Sequence, residues 1–144
     1  MSEKAMNLLG LMRRAGALAT GESNAGTAVR GGKAKLLLLA SDASENALRR
    51  AESLTFTRKT QTVALPYTKD ELAAGLGTGE CAMAAVTDMG FANALMKLLL
   101  EAEPERYAEA AAETERRSQR AQRRKAGTPG GDSNNRNGKR RTNI

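Results

Sequence analysis

The chain has 144 residues, the length of one domain with an extension. It contains no His, which excludes imidazole bases, imidazole metal ligands and His-based catalytic triads. Its single Cys, Cys81, excludes an intramolecular disulfide and a Cys-rich zinc site. Two Phe, two Tyr and no Trp predict an aliphatic core, and they argue against a binding platform of several stacked aromatic rings.

The hydropathy pattern predicts a cytoplasmic protein without a membrane partner. The apolar runs, such as residues 36–40, are short, whereas a membrane span needs about 20 apolar residues. Residues 1–10 lack the basic segment and the apolar stretch that are typical of a signal peptide. The absence of disulfides fits a reducing compartment.

The charge is unevenly distributed along the chain, with a net value of +7 from 23 basic and 16 acidic residues. Residues 1–100 hold 12 basic and 9 acidic residues (+3), residues 101–115 hold 1 and 6 (−5), and residues 116–144 hold 10 and 1 (+9). The basic tail predicts an anionic partner, because clustered Lys and Arg release counterions from a phosphate backbone. A solubilising extension without a specific target would carry the same charge, so this alternative stays open.

The first forty residues predict two helices and two strands. The first helix ends near Gly16, a short strand covers residues 18–20, and Gly21 opens a second helix that ends at Gly31. Residues 36–40 are a continuous apolar run too short for a helix, which predicts a central strand buried on both faces. The apolar stripe of the first helix consists of Ala5, Leu8, Leu9 and Met12.

Three more helices and two more strands are predicted before Pro104. Ser41 or Asp42 is expected to cap the third helix, Thr68 the fourth and Asp88 the fifth, with strands over residues 62–65 and 82–87. The apolar stripes are Ala47, Leu48, Ala51 and Leu54 in the third helix, Leu72, Ala73 and Leu76 in the fourth, and Phe91, Leu95, Leu98 and Leu99 in the fifth.

This alternation of helices and strands predicts the α/β class, as a three-layer α/β/α sandwich around a mostly parallel or mixed sheet. We expect the four-stranded mixed sheet of these two. We assign this domain to residues 1–104. Residues 105–125 predict a charged, solvent-exposed helix in which Glu113 faces Arg117. Residues 126–144 have the composition of a disordered basic tail.

The residues that could carry catalysis are few, and we expect neither an enzyme nor a cofactor or metal site. Cys81 has no His partner and is better explained as a small residue at a strand edge. Asp42 and Asp88 follow strands, where N-capping explains them without catalysis. Gly75, Gly77 and Gly79 follow a helix instead of a strand, which favours a flexible loop over a phosphate-binding loop.

The start of the second helix is a candidate binding element. Gly21 lets the backbone approach a ligand closely, and the first N–H groups of the helix can meet phosphates or base edges. An ordinary Ser- or Asn-capped helix start fits the sequence equally well. Arg30, Lys33 and Lys35 add positive charge nearby, which a solvated face would also explain.

Several short motifs carry a resemblance to a known family. They are Leu8-Leu9-Gly10-Leu11, Arg13-Arg14-Ala15-Gly16, Thr20-Gly21-Glu22, Gly32-Lys33-Ala34-Lys35-Leu36, Leu39-Ala40-Ser41-Asp42-Ala43-Ser44-Glu45-Asn46, Ala85-Val86-Thr87-Asp88 and Gly90-Phe91-Ala92. In this order and spacing, over roughly residues 3 to 100, they resemble the bacterial YlxQ-like branch of the L-seven-Ae/L-thirty-e ribosomal-protein family, which binds kink-turn RNA. The basic tail lies outside the resemblance.

The resemblance implies an α/β/α sandwich and a specific RNA interface. In the family, the N-terminus of the second helix enters the widened major groove at tandem sheared G·A pairs, and the loop before the last strand covers an extruded base. By this resemblance the second-helix contacts are Gly21, Glu22, Ser23, Asn24, Thr27, Arg30 and Lys33. The covering loop would consist of Gly77, Thr78, Gly79, Glu80, Cys81 and Ala82.

The sequence departs from the family pattern at two of these positions. Asn24 stands where the family has Glu, and Thr27 stands where it has Lys. The loop around Gly79 also lacks the bulky aliphatic residues that stack on the extruded base. Losing one contact to a charged group predicts RNA binding weaker by roughly ten- to a hundredfold.

The functional prediction is a non-catalytic RNA-binding protein that recognises kink-turn-like structured RNA in ribosomal or messenger RNA. It would be a monomer, associated with translation or the ribosome as part of a ribonucleoprotein. The alternative is a protein-interaction module whose basic tail gives only non-specific RNA affinity. An enzyme such as an RNA methyltransferase is disfavoured, because the chain is too short to hold that domain as well.

Overall fold

A computed structural model describes residues 3–127 of the chain. The chain divides into two compact units, Met1–Ala111 and Ala112–Ile144, which are described separately. The elements are α1 (Glu3–Arg14), β1 (Leu18–Thr20), α2 (Glu22–Arg30), β2 (Leu36–Leu39), α3 (Glu45–Arg58), β3 (Gln61–Ala64), α4 (Lys69–Leu76), β4 (Met83–Val86), α5 (Met89–Ala102) and α6 (Pro104–Gly127).

The four strands form one mixed sheet in the order β1-β4-β2-β3, which confirms the predicted sheet. Strand β4 is antiparallel to both β1 and β2, whereas β2 and β3 are parallel. The carboxyl ends of β1, β2 and β3 therefore meet the amino end of β4. We call this the Gly21 end of the sheet, and it gathers the connections 20–22, 40–44, 65–68 and 77–82. The opposite end, with connections 15–17, 31–35, 59–60 and 87–88, is the Lys35 end.

Side chains alternate between the two faces of the sheet, as the twofold period of a strand requires. Helices α2 and α3 pack on the face formed by Leu37, Leu39, Met83 and Ala85. Helices α1, α4 and α5 pack on the face formed by Leu36, Leu38, Ala84 and Val86. Both β2 and β4 are buried throughout. The three-layer α/β/α sandwich is therefore confirmed.

Two of the three predicted helix caps are confirmed and one is corrected. Thr68 accepts from the Glu71 N–H in a complete capping box, and Asp88 accepts from the Phe91 N–H at 2.9 Å. Helix α3 is capped by Ser44, whose hydroxyl accepts from the Ala47 N–H at 3.1 Å, instead of by Ser41 or Asp42.

Ser41 and Asp42 do not start α3 because they join the β2–α3 connection to the neighbouring helix. The Ser41 N–H donates to the Tyr67 carbonyl at 2.7 Å. The Asp42 carboxylate accepts from the Lys69 N–H, the first of α4, at 2.8 Å. Asp42 therefore stabilises a helix start, as expected for a capping residue, but the helix is α4 and not α3.

Helix α3 buries less than its predicted stripe. Its fully buried residues are Ala47 and Ala51, whereas Leu54 is half-buried and Leu48 is 43% exposed. Leu48 is therefore not part of the core. The small side chains of Ala47 and Ala51 let α3 approach its neighbours closely. The larger side chain of Leu48 lies outside this packed face.

The compact unit extends past the predicted boundary at residue 104 and includes the first two turns of α6. Tyr107 is 3% exposed, and its hydroxyl donates to the Ala64 carbonyl at 2.6 Å. The Gln61 amide donates to the Ala110 carbonyl at 2.8 Å. These contacts hold the start of α6 beside β3, so the predicted solvent exposure does not apply to Tyr107.

The second unit, from Ala112, contains the rest of α6 and the predicted pairing. Glu113 accepts from Arg117 at 2.5 Å and from Arg116 at 2.8 Å. These hydrogen bonds lower the pKa of Glu113 to about 2, with Arg117 as the larger cause. The predicted disordered tail, residues 126–144, lies outside the described residues from position 128 onward.

Candidate nucleic-acid interface

The start of α2 is built on Gly21, which links β1 to the helix. Its φ of +90° and ψ of 156° form a conformation that L side chains rarely adopt. Its N–H donates to the Met83 carbonyl at 2.9 Å. The space where a Cβ would stand is open, with no atom within 4 Å. Glycine is thus required by the backbone conformation and not by crowding.

Helix α2 has no side-chain cap, so the Ser- or Asn-capped start considered above does not occur. Gly21 is the N-cap residue and offers no side-chain acceptor. The N–H groups of the first turn of an α-helix have no partner within the helix. At α2 these groups face outward with the positive end of the helix dipole, which suits an anion or a base-edge acceptor.

The three residues after Gly21 are all exposed. The Asn24 side-chain N–H donates to the Thr20 carbonyl at 3.0 Å, which fixes the amide and leaves its oxygen as an acceptor. The Thr27 hydroxyl donates to the Ser23 carbonyl at 3.1 Å. Thr27 therefore offers neither a cation nor its hydroxyl proton to a ligand.

Glu22 is held by a residue that sequence reasoning missed. Its carboxylate forms an ion pair with the guanidinium of Arg50, which lies in the adjacent helix α3. The pair turns the Glu22 charge toward α3 and neutralises it. Sequence spacing gave no signal of this pairing, because the two residues meet only when α2 and α3 pack on the same face of the sheet.

The predicted α2 contacts divide between two surface grooves. One groove, of about 440 Å³, lies between α2 and β1, and its lining includes Thr20, Asn24, Thr27 and Lys33. The other, of about 470 Å³, lies between α2 and α3, and its lining includes Glu22, Ser23, Arg30 and Arg50. The structure therefore brings Asn24, Thr27 and Lys33 together and separates them from Glu22 and Arg30.

The loop of residues 77–82 lies beside the start of α2, at the Gly21 end of the sheet. The hydrogen bond from Gly21 to Met83 joins the two directly, because Met83 follows this loop. Gly77 ends α4 in the left-handed conformation with a φ of +69°. Gly79 has open space around it, and Glu80 approaches the Lys69 ammonium at 3.8 Å.

Cys81 is a correction to the predicted covering loop. It is only 1% exposed, and its thiol approaches the Met83 carbonyl at 3.6 Å inside the core. Ala82 is half-buried, and its carbonyl accepts from the Ala40 N–H at 2.9 Å. The exposed part of the loop is therefore residues 77–80, since the chain turns into the sheet directly afterwards.

The buried phenols carry no charge at neutral pH. Burial raises the pKa of Tyr107 to about 12 and also raises the pKa of Tyr67 above its ordinary value. Within residues 3–127, no three His, Cys, Asp or Glu side chains are grouped so that they could hold a metal ion. None of the helices in this part of the chain combines the length and the apolar character needed to cross a membrane.

Comparison with known proteins gives sequence relatives but no match to an established family profile. The chain is 38% identical over 96 residues to the RNA-binding protein YlxQ of Bacillus subtilis, which covers 64% of this chain and 91% of that protein. It is 48% identical over 50 residues to the RNA-binding protein YlxQ of Enterococcus faecium, which covers 35% of this chain and 48% of that protein.

Two solved structures share the fold. A protein of unknown function from Bacillus halodurans matches with a TM-score of 0.61 at 29% identity, over 67% of this chain and 97% of that one. The 15.5kD RNA binding protein of Giardia lamblia matches with a TM-score of 0.55 at 18% identity, over 72% of this chain and 92% of that one. At 18% identity the second match supports the fold alone.

The names of the sequence relatives describe binding and not a reaction, in agreement with the prediction that the chain is not an enzyme. The match to the Bacillus subtilis protein covers nearly the whole of that relative. It also confirms the resemblance read from the motifs between residues 8 and 92. The chain therefore belongs to the YlxQ family.

Proposed function

We propose that the protein binds RNA, without catalysing a reaction, and that it recognises a kink-turn-like bend through the start of α2. The observation that carries this proposal is the uncapped α2 N-terminus at Gly21, placed beside the exposed loop 77–80. Relatives named as RNA-binding proteins support the RNA class of the ligand.

The chemistry of this surface suits base edges in a widened groove. The first N–H groups of α2 donate to phosphate or carbonyl oxygens, and Gly21 allows the RNA backbone to approach them closely. The fixed Asn24 amide presents its oxygen to an exocyclic amine of a base. Recognition then depends on the shape of a non-Watson–Crick bend, as expected for structured RNA.

The cation that Thr27 lacks is supplied, in this proposal, by Lys33 in the same groove. Both residues line the groove between α2 and β1, and Lys33 is exposed. Lys33 lies three residues beyond the last residue of α2, whereas position 27 lies within the helix. The RNA phosphate that Lys33 meets is therefore a different one, which predicts altered as well as weaker kink-turn binding.

The setting of this activity is also part of the proposal. We expect a cytoplasmic monomer that binds a kink-turn in ribosomal or messenger RNA and takes part in translation or in the ribosome. The RNA-recognising domain corresponds to residues 1–104 together with the packed start of α6. The remaining charged helix and the basic tail would add affinity that does not depend on RNA sequence.

The test is a titration of the full chain with two RNAs at fixed salt. One RNA contains a kink-turn, and in the other Watson–Crick pairs replace its sheared G·A pairs. The wild type should prefer the kink-turn, and Asn24→Ala should reduce this preference about tenfold, the value of one good hydrogen bond in a dry site. Asn7→Ala, at an exposed position on α1, should leave the preference unchanged.

Equal affinity of the wild-type chain for both RNAs would contradict kink-turn recognition. The second candidate, a protein-interaction module with a non-specific basic tail, rests on Asn24 and Thr27, where the family pattern is lost. It predicts that removing residues 116–144, which hold ten basic residues, abolishes nearly all RNA affinity. A shortened chain that still prefers the kink-turn would exclude it.

A further inference from the structure

The sheet separates the charges of the compact unit between its two ends. The Gly21 end gathers acidic residues in or next to its connections against one cation, Lys69; they are Glu22, Asp42, Glu45, Asp70, Glu71 and Glu80. The Lys35 end gathers Lys33, Lys35, Arg58 and Lys59. A net charge of only +3 over residues 1–100 conceals this separation, because the two groups nearly cancel.

These cations come from two segments that the fold joins, the α2–β2 connection and the end of α3. The Arg58 guanidinium, at the end of α3, donates to the Arg30 carbonyl at the end of α2 at 2.7 Å. The same guanidinium lies 3.3 Å from the position that a Cβ on Gly32 would occupy. Arg58 therefore lies directly over the turn between α2 and β2, which leads to Lys33 and Lys35.

Lys35 reaches the same surface from the start of β2. Its N–H donates to the Val86 carbonyl at 2.6 Å, which fixes the backbone at the last residue of β4. Leu36, the next residue, pairs with Gln61 of β3, so Lys35 stands beside the connection that follows Arg58. Lys33 and Arg58 are exposed, and Lys35 is half-exposed.

Acidic groups do not neutralise this surface within residues 3–127. None of Lys33, Lys35 and Arg58 forms an ion pair with a carboxylate in this part of the chain. The acidic residue in the connections of this end is Asp88, and its carboxylate is engaged in capping α5. Arg58 has a structural role at the end of α2, where a cation suits the helix dipole, whereas Lys33 and Lys35 remain available to an anionic ligand.

We propose that the Lys35 end is a second RNA contact, which binds phosphate oxygens through Lys35 and Arg58 in addition to Lys33. This inference rests on the RNA binding proposed above and adds a phosphate-binding surface away from the Gly21 end. The surface presents charge without base-reading groups, so it binds the backbone of a duplex arm regardless of sequence.

One RNA can reach both ends of the sheet. Helix α2 has nine residues, so its two ends are roughly 13 Å apart at a rise of 1.5 Å per residue. The groove between α2 and β1 runs from Asn24 to Lys33 and follows this path. An RNA bent at the Gly21 end would therefore carry the phosphates of one arm over the Lys35 end.

The test compares two double variants of the full chain that lose the same charge. Lys35→Gln with Arg58→Gln removes two cations from the Lys35 end, and Lys4→Gln with Lys97→Gln removes two exposed cations from α1 and α5. Affinity for the kink-turn RNA and for its Watson–Crick counterpart is measured between 50 and 200 mM salt. The logarithm of the affinity falls with the logarithm of salt in proportion to the number of phosphate contacts.

The slope for the Lys35 and Arg58 variant should be smaller than the wild-type slope by about two, one for each lost contact. Over that salt range the wild type should then lose about tenfold more affinity than this variant. The slope for the Lys4 and Lys97 variant should match the wild type. The preference for the kink-turn should be the same in all three proteins.

Equal slopes for the two double variants would overturn the proposal. A wild type without kink-turn preference would contradict the function proposed for the Gly21 end but leave the slope comparison valid. Because Arg58→Gln also removes the hydrogen bond to Arg30, thermal unfolding checks that the variant folds. Lys35→Gln alone breaks no side-chain hydrogen bond in the described structure, and it should lower the slope by about one.

Discussion

At the scale of single residues, Gly21 decides the geometry of the candidate interface. Its backbone conformation directs the first turn of α2 toward solvent while its N–H remains bonded to β4. A residue with a side chain would have room at position 21, but it would rarely adopt the backbone conformation that Gly21 has. The interface therefore depends on backbone freedom at one position, and this dependence can be measured apart from RNA binding.

Gly21→Ala should lower the free energy of unfolding by about 1–3 kcal/mol, the cost of a side chain in this backbone region. The matched control is Gly79→Ala, which also meets no atom within 4 Å but has no positive φ. It should change stability by less than about 0.5 kcal/mol. Urea titrations of both variants and the wild type provide the measurement, and equal losses would show that the Gly21 conformation is not strained for alanine.

Tyr107 is the second residue with a separable effect, because its phenol is buried and hydrogen-bonded to Ala64. Its pKa is raised from the model-compound value of 10.0 to about 12 in the folded chain. The folded state thus binds this proton more tightly than the unfolded state does. The stability gained is complete below pH 10 and is lost as the pH rises toward 12.

The difference in unfolding free energy between the wild type and Tyr107→Phe reports this linkage. Below pH 10 the wild type should be the more stable protein by a constant amount, because it keeps the hydrogen bond. Between pH 10 and 12 the difference should shrink, since only the wild type loses a proton from this site. Chemical denaturation across that range tests the sign, and a constant difference up to pH 12 would contradict the raised pKa.

At the scale of elements, Asp42 joins the β2–α3 connection to the start of α4. Its carboxylate accepts from the Lys69 N–H, beside the capping box that Thr68 and Glu71 form. Asp42→Ala should lower the free energy of unfolding by about 1 kcal/mol, the usual value of a carboxylate at a helix start. Asp70→Ala, in the same first turn but exposed, should cost only the dipole contribution of about 0.3–1 kcal/mol.

The positions of the elements could be predicted from the sequence because local signals determine them. The apolar run at residues 36–40, Gly31 after α2 and Thr68 before α4 each act through their own backbone conformation or burial. Predicted and observed strand ends agree within a residue or so, for example 62–65 against Gln61–Ala64 in β3. The mixed sheet followed from this alternation and from the family resemblance together.

The contacts between elements could not be predicted in the same way. Arg50 pairs with Glu22, and Asp42 bonds to Lys69, across helices that meet only in the folded sandwich. The resemblance implies that Cys81 belongs to the covering loop, but the residue is buried just before β4, which fits its interpretation as a small residue at a strand edge. The family resemblance indicates the start of α2 as a site. The division of its residues between two grooves depends on how α2 packs between β1 and α3, which the sequence does not show.

At the scale of the whole molecule, the sheet and the tail arrange positive charge at two places. The Lys35 end carries four cations on a fixed surface, and residues 128–144 add Arg136, Lys139, Arg140 and Arg141 against a single Asp132. Both would meet RNA phosphates, and the fold places the Lys35 end at the end of α2. The fixed surface can therefore favour one RNA shape, whereas the tail contributes through its charge.

Replacing Arg136, Lys139, Arg140 and Arg141 by Gln keeps the length of the chain and changes its net charge from +7 to +3. Affinity for the kink-turn RNA and for its Watson–Crick counterpart should fall by the same factor, because both RNAs present the same phosphates to the tail. The slope of affinity against salt should decrease by up to about four on both RNAs.

The ratio of the two affinities distinguishes the candidate functions at this scale. An unchanged ratio assigns kink-turn preference to the folded unit, since the variant differs from the wild type only in the tail. A ratio that falls to one would show that the tail participates in recognition. Loss of measurable binding to both RNAs would favour the protein-interaction module, because the fixed surface would then hold too little affinity for RNA by itself.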